Sequence, residues 1–315
     1  MTFAPDAPAP LSGHQIDLVL GNQEVTVTDI GAKVRRYSVG GRDVFTPFAA
    51  DETAPAGHGA VLAPWPNRIR DGWYAFDGVP HQLDISEPAN GTALHGLVMW
   101  QRWSVADIDD DAHVAGEAVT LELRTAPSAG YPFDLLLRVT YRLTGAGLHV
   151  TVRATNVGSS PAPYGIGFHP WLSPGDASLD DCTIRLDAST QVSVDDRLLP
   201  IGTTPAQGRF DLRAPVSLRG LDLDDAYVDV LRDQDGLSWI LLAAPDGRTA
   251  AVWMDASMDT WQVCTGDHLE AVEWRRTGLA AEPMSCIADA FRTGERLVRL
   301  EPGATHEVTW GAALL

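Results

Sequence analysis

Short apolar runs with period-two alternation, each cut off by turn residues, dominate this chain and leave little room for any architecture but packed sheets. VTLELRT (119–125), LLLRVTYRL (135–143), LHVTVRAT (148–155) and CTIRLDA (182–188) alternate or run apolar with β-branched residues. SWILLAA (238–244), TAAVWMD (249–255), ERLVRLE (295–301) and HEVTW (306–310) repeat the pattern. Successive side chains on a strand point to opposite faces, so this spacing buries one face of each segment. GG at 40–41, DG at 71–72, 77–78, 235–236 and 246–247, and TGAG at 144–147 stand between such runs. These residues adopt the positive φ that tight hairpins need. No stretch combines a helical period with proper caps. Strands this dense, with turn signals roughly every 8 to 12 residues, predict an all-β sandwich or barrel. We read residues 1–15 as a loose lead-in and 16–315 as one large antiparallel domain, with DIDDDAH (107–113) as a hairpin tip. The absence of a fixed-period repeat argues against a propeller or solenoid.

Composition narrows the function. The chain has 315 residues, 45% hydrophobic and 21% charged, enough to bury a sizeable core without covalent staples. Its formal net charge of −19, with no offsetting basic cluster, would repel nucleic acid and anionic membranes and is read as solubility. The N-terminus lacks the basic and apolar regions of a signal peptide. No apolar run approaches the roughly 18 residues of a membrane span. Cys182, Cys264 and Cys286 cannot all pair and read as reduced, buried thiols of a cytoplasmic protein. The expected association state is monomer or homodimer.

The nine histidines stand singly, with no pair at metal-ligand spacing and no CxxC, so no metal is expected. Neither a Gly-rich phosphate loop nor a GxSxG elbow occurs. What remains is a set of polar residues in apolar or Gly-rich surroundings. His169 lies between Gly165, Gly167 and Pro170-Trp171, where glycines permit close approach of a ligand; a lone histidine on a strand is as readily structural. Glu282, in LAAEPM, has uncharged neighbours; it is either a general base whose pKa desolvation would raise or a carboxylate held by backbone amides just before a proline turn. Arg68, in PNRIRDG, is either a core ion pair or a clamp on hydroxyls or carboxylates. His95 has Gly96 behind it, which leaves room for a ligand, and Gln262 alternates with Trp261 and Val263, so it faces away from them. Of the ten tryptophans, several lie near these residues and suit either core packing or stacking on a sugar face.

Six segments in colinear order, from about residue 60 to the C-terminus, resemble those of the aldose 1-epimerases, or galactose mutarotases: PNRIRDG, ALHGL, GFHPWL, LDDAY, WQVCTGD and GLAAEPMSCIADAF. The resemblance implies a large antiparallel β-supersandwich with a monosaccharide in a groove of the sheet, and no cofactor. It makes Glu282 the general base and protonated His169 the general acid. Asn67, Arg68, His95, Asp224 and Gln262 would bind sugar hydroxyls and the ring oxygen, with Trp171 beside them. Asp224 rather than Asp225 follows from placing Tyr227 on the family's aromatic. WPNRI with EPMSCIADAF looks most like a bacterial subgroup tied to sugar-catabolic operons, sulfoquinovose mutarotases among them. Ala63-Pro64 replaces the usual GR pair, and Pro170-Trp171 displaces the aromatic after the histidine, which bears on sugar preference. The implied reaction interconverts the α and β anomers of a free aldohexose. Its rivals are a mutarotase for sulfoquinovose or a hexose 6-phosphate, a glycoside hydrolase using Glu282 and Asp224, and a silent sugar-binding or sensor protein.

Overall fold

A computed structural model describes residues 8–106 and 117–315, so the 107–113 segment lies outside the described residues. Two large antiparallel sheets hold most of the strands among the described residues. The larger runs in the order Gln15–Leu20, Gln23–Thr28, Lys33–Val39, Arg42–Phe45, Trp171–Leu172, Leu279–Met284, Thr260–Cys264, Asp224–Val230, Ala188–Val194 and Pro200–Pro205. Gly167–Phe168 and Val61–Leu62 join it from the side. The second runs from Ser104–Val105 through Ala118–Arg124, Leu135–Thr144, Gly147–Asn156, Thr305–Leu314, Thr249–Met254, Ser238–Ala243 and Thr183–Leu186 to Val216–Ser217.

The strand pattern of the sequence maps onto this directly. Leu135–Thr144 buries every second residue, and Leu137, Val139 and Tyr141 enter the core beside Val150 and Val152 of the neighbouring strand. Asp77-Gly78, at φ 50° and 79°, closes the Trp73–Phe76 and Val79–Gln82 hairpin in the paired left-handed geometry that matches strand twist. The run beginning at Cys182 is two strands rather than one. Thr183–Leu186 lies in the second sheet and Ala188–Val194 in the first. The chain changes sheets at Asp187, whose carboxylate accepts two bonds from Arg185 and whose carbonyl accepts from Leu231 N and Ser238 Oγ. Among the described residues the one α-helix is the single turn Ala290–Thr293, in keeping with the missing helical period. No helix among them is long and apolar enough to cross a membrane.

The sheets close over one core in which side chains of both interleave. Polar links cross it: Gln23 Nε2 donates to Thr144 O at 2.7 Å, Trp261 Nε1 to Ser238 Oγ at 2.9 Å, and Tyr141 Oη to Ala32 O. The lead-in is fastened from Ser12, whose N–H and hydroxyl both bond Ala50 O.

Candidate active site

Strand parity builds the site. In the centre of the larger sheet Gln262 pairs with Glu282 on one side and Ala226 on the other. Residues directly opposite across an antiparallel pair share a face, as do residues two apart on one strand. One face therefore carries Asp224, Ala226, Gln262, Cys264, Ala280 and Glu282. The other carries Tyr227, Trp261, Val263 and Ala281, all part of the inter-sheet core. Asp225 falls on that second face, 7% exposed, accepting from Gln191 Nε2 at 3.2 Å. Asp224 lines the pocket on the first.

This pocket is lined by Asn67, Arg68, Asp224 and Gln262 with an apolar wall that includes Val192, Val194, Leu198 and Ala226. A hydrogen-bond relay crosses it. Asn67 Nδ2 donates to Gln262 Oε1 at 3.3 Å, and Gln262 Nε2 donates to Asp224 Oδ1 at 2.7 Å. Asn67 and His95 both sit at positive φ, 54° and 61°. They hold each other there: His95 N donates to Asn67 O at 2.9 Å, and Asn67 N donates to His95 Nδ1 at 3.2 Å. Strained backbone that its surroundings over-determine is characteristic of functional sites.

Across the strand pair from Gln262, Glu282 meets His169, whose Nε2 lies 3.4 Å from Glu282 Oε1. His169 is 7% exposed and Glu282 2%, and Glu282 Oε2 is buried with no hydrogen-bond partner among the described residues. Burial pushes the Glu282 carboxyl well above the usual carboxylate range; Asp224 adds to the rise and Arg68 opposes it. Burial lowers His169 to about 4. His95, whose ring meets His169 edge-on at 5.3 Å, is also held well below its ordinary value by burial, then by His169 and Arg68. The pair is thus drawn toward a protonated carboxyl and a neutral imidazole, because burial penalises the charged form of each.

Arg68 reaches this site already engaged. Its Nε and Nη2 donate to Glu87 Oε2 and Oε1 at 2.8 and 2.9 Å, and Glu87 also accepts from Thr92 and Asn90. Glu87 has no distinguishing context in the sequence, and only the pairing of Arg68–Arg70 with Thr92–Leu94 brings it near. Trp171 is 2% exposed and seated behind His169, with Nε1 donating to His169 Nδ1 at 3.0 Å. His58, one of the lone histidines, stacks on that indole at 4.5 Å and 5°, and burial followed by His169 lowers it to about 3. His268 approaches Asp224 from the rim, Nε2 to Oδ2 at 3.6 Å.

Two glycines read from sequence as room for a ligand make room for protein. A Cβ on Gly96 would come within 2.1 Å of Ala63 O, and one on Gly167 within 2.7 Å of Pro66 Cβ. They let the polypeptide pack tightly under the site.

The geometry suits proton exchange on a small polyhydroxy molecule: an acid–base pair at one end, fixed amide and carboxylate groups along the floor, and an apolar wall. Comparison with known proteins agrees. A family model for aldose 1-epimerase matches residues 15–311. The chain is 31% identical over 298 residues to the uncharacterized protein YihR of Escherichia coli K12, covering 94% of this chain and 92% of that one. Human galactose mutarotase is 33% identical over 184 residues, 54% of this chain and 49% of that protein. Among solved structures, a GalM/aldose epimerase homologue from C. elegans superposes with a TM-score of 0.82 at 19% identity, covering 96% of this chain and 98% of its own. A galactose 1-epimerase from Lactobacillus acidophilus gives 0.79 at 17%, covering 96% and 94%. These structural likenesses carry the fold and the family model carries the membership: the chain belongs to the aldose 1-epimerase family of isomerases.

Proposed function

We propose that this protein is a mutarotase that interconverts the α and β anomers of a free aldohexose. The observation that carries the reading is the buried Glu282–His169 pair, 3.4 Å apart, with an unpartnered carboxylate oxygen beside the amide relay. Glu282 exchanges the proton of the C1 hydroxyl while His169 serves the ring oxygen from Nε2. The C1–O5 bond breaks with its electron pair going to O5, and the aldehyde turns about C1–C2. Reclosure on the other face reverses the same proton movements. Asn67, Gln262 and Asp224 supply fixed donors and acceptors for sugar hydroxyls, and His95 and Arg68 bias the field at the reacting end.

Electrostatics favour a neutral sugar over one bearing sulfonate or phosphate. Arg68 is the one cationic side chain lining the pocket among the described residues, and its fork is committed to Glu87. Asp224 and Glu282 are acidic, so an anionic substituent meets no free counter-charge there.

Optical rotation of freshly dissolved α-D-glucose and α-D-galactose tests the proposal. The expected result is faster relaxation to the same end-point, reduced about 10²–10⁴-fold in kcat by Glu282→Ala and by His169→Ala. Near wild-type turnover in either variant removes that residue from the mechanism. Acceleration of sulfoquinovose or glucose 6-phosphate in preference to both neutral sugars overturns the neutral-sugar assignment.

A further inference from the structure

We propose that Asp289 is a positioning residue: its backbone N–H and its carboxylate together clamp the strand that begins at Arg68, and Asn67 with it, in place beside the central strands of the larger sheet. The consequence for sugar binding rests on the mutarotase reading; the clamp rests on geometry.

Asn67 and Arg68 need a tie because they lie outside the sheet they serve. Arg68–Arg70 pairs with Thr92–Leu94 in a two-stranded ribbon of its own, whereas Gln262 and Glu282 face each other across neighbouring strands of the larger sheet. Glu87, bridged to Thr92 of the same ribbon, fixes the direction of the Arg68 guanidinium and not the place of the ribbon. Asn67 Nδ2 reaches Gln262 Oε1 at 3.3 Å, close to the long limit of a hydrogen bond, so a small slip of the ribbon breaks the relay.

Asp289 supplies the tie. Its N–H donates to Arg68 O at 2.6 Å, and its Oδ1 accepts from Arg70 N at 2.9 Å. Those two groups flank Ile69 on one edge of the strand. One residue of a parallel neighbouring strand would engage both, through its own N–H and C=O. The Asp289 carbonyl is already taken: it accepts from Arg292 N and Thr293 N, at 2.9 and 3.0 Å, in the Ala290–Thr293 turn. The carboxylate stands in for it. Oδ2 meets Arg292 Nη1 at 3.1 Å, so each polar group of the residue is engaged. The backbone sits at φ 62° and ψ 13°, a left-handed conformation that Asp and Asn tolerate better than most residues with a side chain.

The same stretch of chain carries Glu282. Leu279–Met284 leads into Ser285, which also uses a side-chain oxygen to complete a backbone pair: its N–H donates to Ile166 O at 2.8 Å and its Oγ accepts from Ile166 N at 2.9 Å. Phe291, 3% exposed among Trp65, Tyr74 and Tyr131, seats the turn that follows Asp289. One anchored segment therefore sets Glu282 and the ribbon of Asn67 and Arg68 at a fixed separation.

Amide hydrogen exchange followed by NMR reads the clamp directly. The Arg70 amide should be protected in the wild type and in Asp289→Asn, whose amide oxygen accepts the same bond from the same backbone. It should exchange at least about tenfold faster in Asp289→Gly, which keeps the left-handed turn and loses the acceptor. An unprotected Arg70 amide in the wild type overturns the clamp. Polarimetry reads the positioning. Asp289→Gly should lower kcat/KM about 10- to 100-fold, most of it as a raised KM, the usual cost of displacing binding groups by about 1 Å. Asp289→Asn should bring KM back to within about threefold of wild type. Partial unfolding alone removes active molecules, which lowers the apparent kcat and leaves KM unchanged; that pattern in Asp289→Gly overturns the positioning role. An Asn variant as poor in KM as the Gly variant also overturns it. Should Asp289→Gly fail to fold, Asp289→Glu replaces it, keeping the charge and moving the acceptor by one carbon: KM raised about tenfold is expected, and a wild-type KM overturns the role. If the wild type accelerates neither glucose nor galactose, the mutarotase reading fails while the exchange rates still decide the clamp.

Discussion

Acidification should loosen this protein through the histidines stacked beneath its site, and His58 shows how much. Its side chain is 1% exposed, its Nε2 has no hydrogen-bond partner among the described residues, and burial with the nearby His169 lowers it to about 3. An unfolded chain restores the ordinary value of about 6.5. The folded pKa is depressed, so the folded state binds fewer protons. The contribution is present above pH 6.5 and is lost as pH falls toward 3. At pH 5 the unfolded histidine is about 1.5 pH units below its pKa while the folded one remains neutral, a cost of about 2 kcal/mol relative to pH 7. His169, lowered to about 4, adds a similar amount with the same sign. Glu282 works the other way. Its folded pKa is raised, so its contribution is full at low pH and is lost as pH rises through the folded value. Comparing variants isolates one group: His58→Phe keeps an aromatic ring on Trp171 and cannot titrate. Urea denaturation followed by tryptophan fluorescence at pH 7 and pH 5 should find the difference between variant and wild type shifted by about 2 kcal/mol toward the variant at the lower pH. A shift within roughly 0.5 kcal/mol of zero refutes the buried, neutral His58.

Arg68→Met leaves Glu87 without its cation where both side chains are more than four-fifths covered, and should cost about 3 kcal/mol in the same denaturation assay. Gln262→Leu cuts the relay from Asn67 to Asp224; polarimetry should show KM for the preferred sugar raised about tenfold, the worth of one lost hydrogen bond, with a smaller change in kcat. Cys182, Cys264 and Cys286 are buried and free, and burial pushes Cys182 up to about 11 and Cys286 up to about 12. A thiol reagent at pH 8 should therefore label none of them in the native protein and all of them in urea.

The sheet architecture was legible because strand periodicity and turn chemistry are local properties. Leu135–Thr144 shows its buried face in its own alternation, and Asp77-Gly78 announces its hairpin by the φ values such residues tolerate. The sheet change at Asp187 was not legible, since the apolar run continues through it and only the partners of Arg185 and Ser238 divide it. Gln262 declared its face by alternating with Trp261 and Val263, and cross-strand register then placed it opposite Glu282. Asp224 and Asp225 are equivalent as letters. Parity against Gln262 puts the first in the pocket and the second in the core.

Taken alone, the sequence determined the class of fold and the kinship that its motif segments imply, because each depends on residue type and spacing along the chain. Tertiary structure decided what those residues are to one another. Glu87 claims both donors of Arg68, Trp171 stands behind His169, and His58 lies against Trp171 from more than a hundred residues away in sequence. Burial and charge belong to such groupings. A side chain's free energy in one protonation state depends on the water it has lost and the partners it has gained, and both are set by strands that meet only when the sheets close.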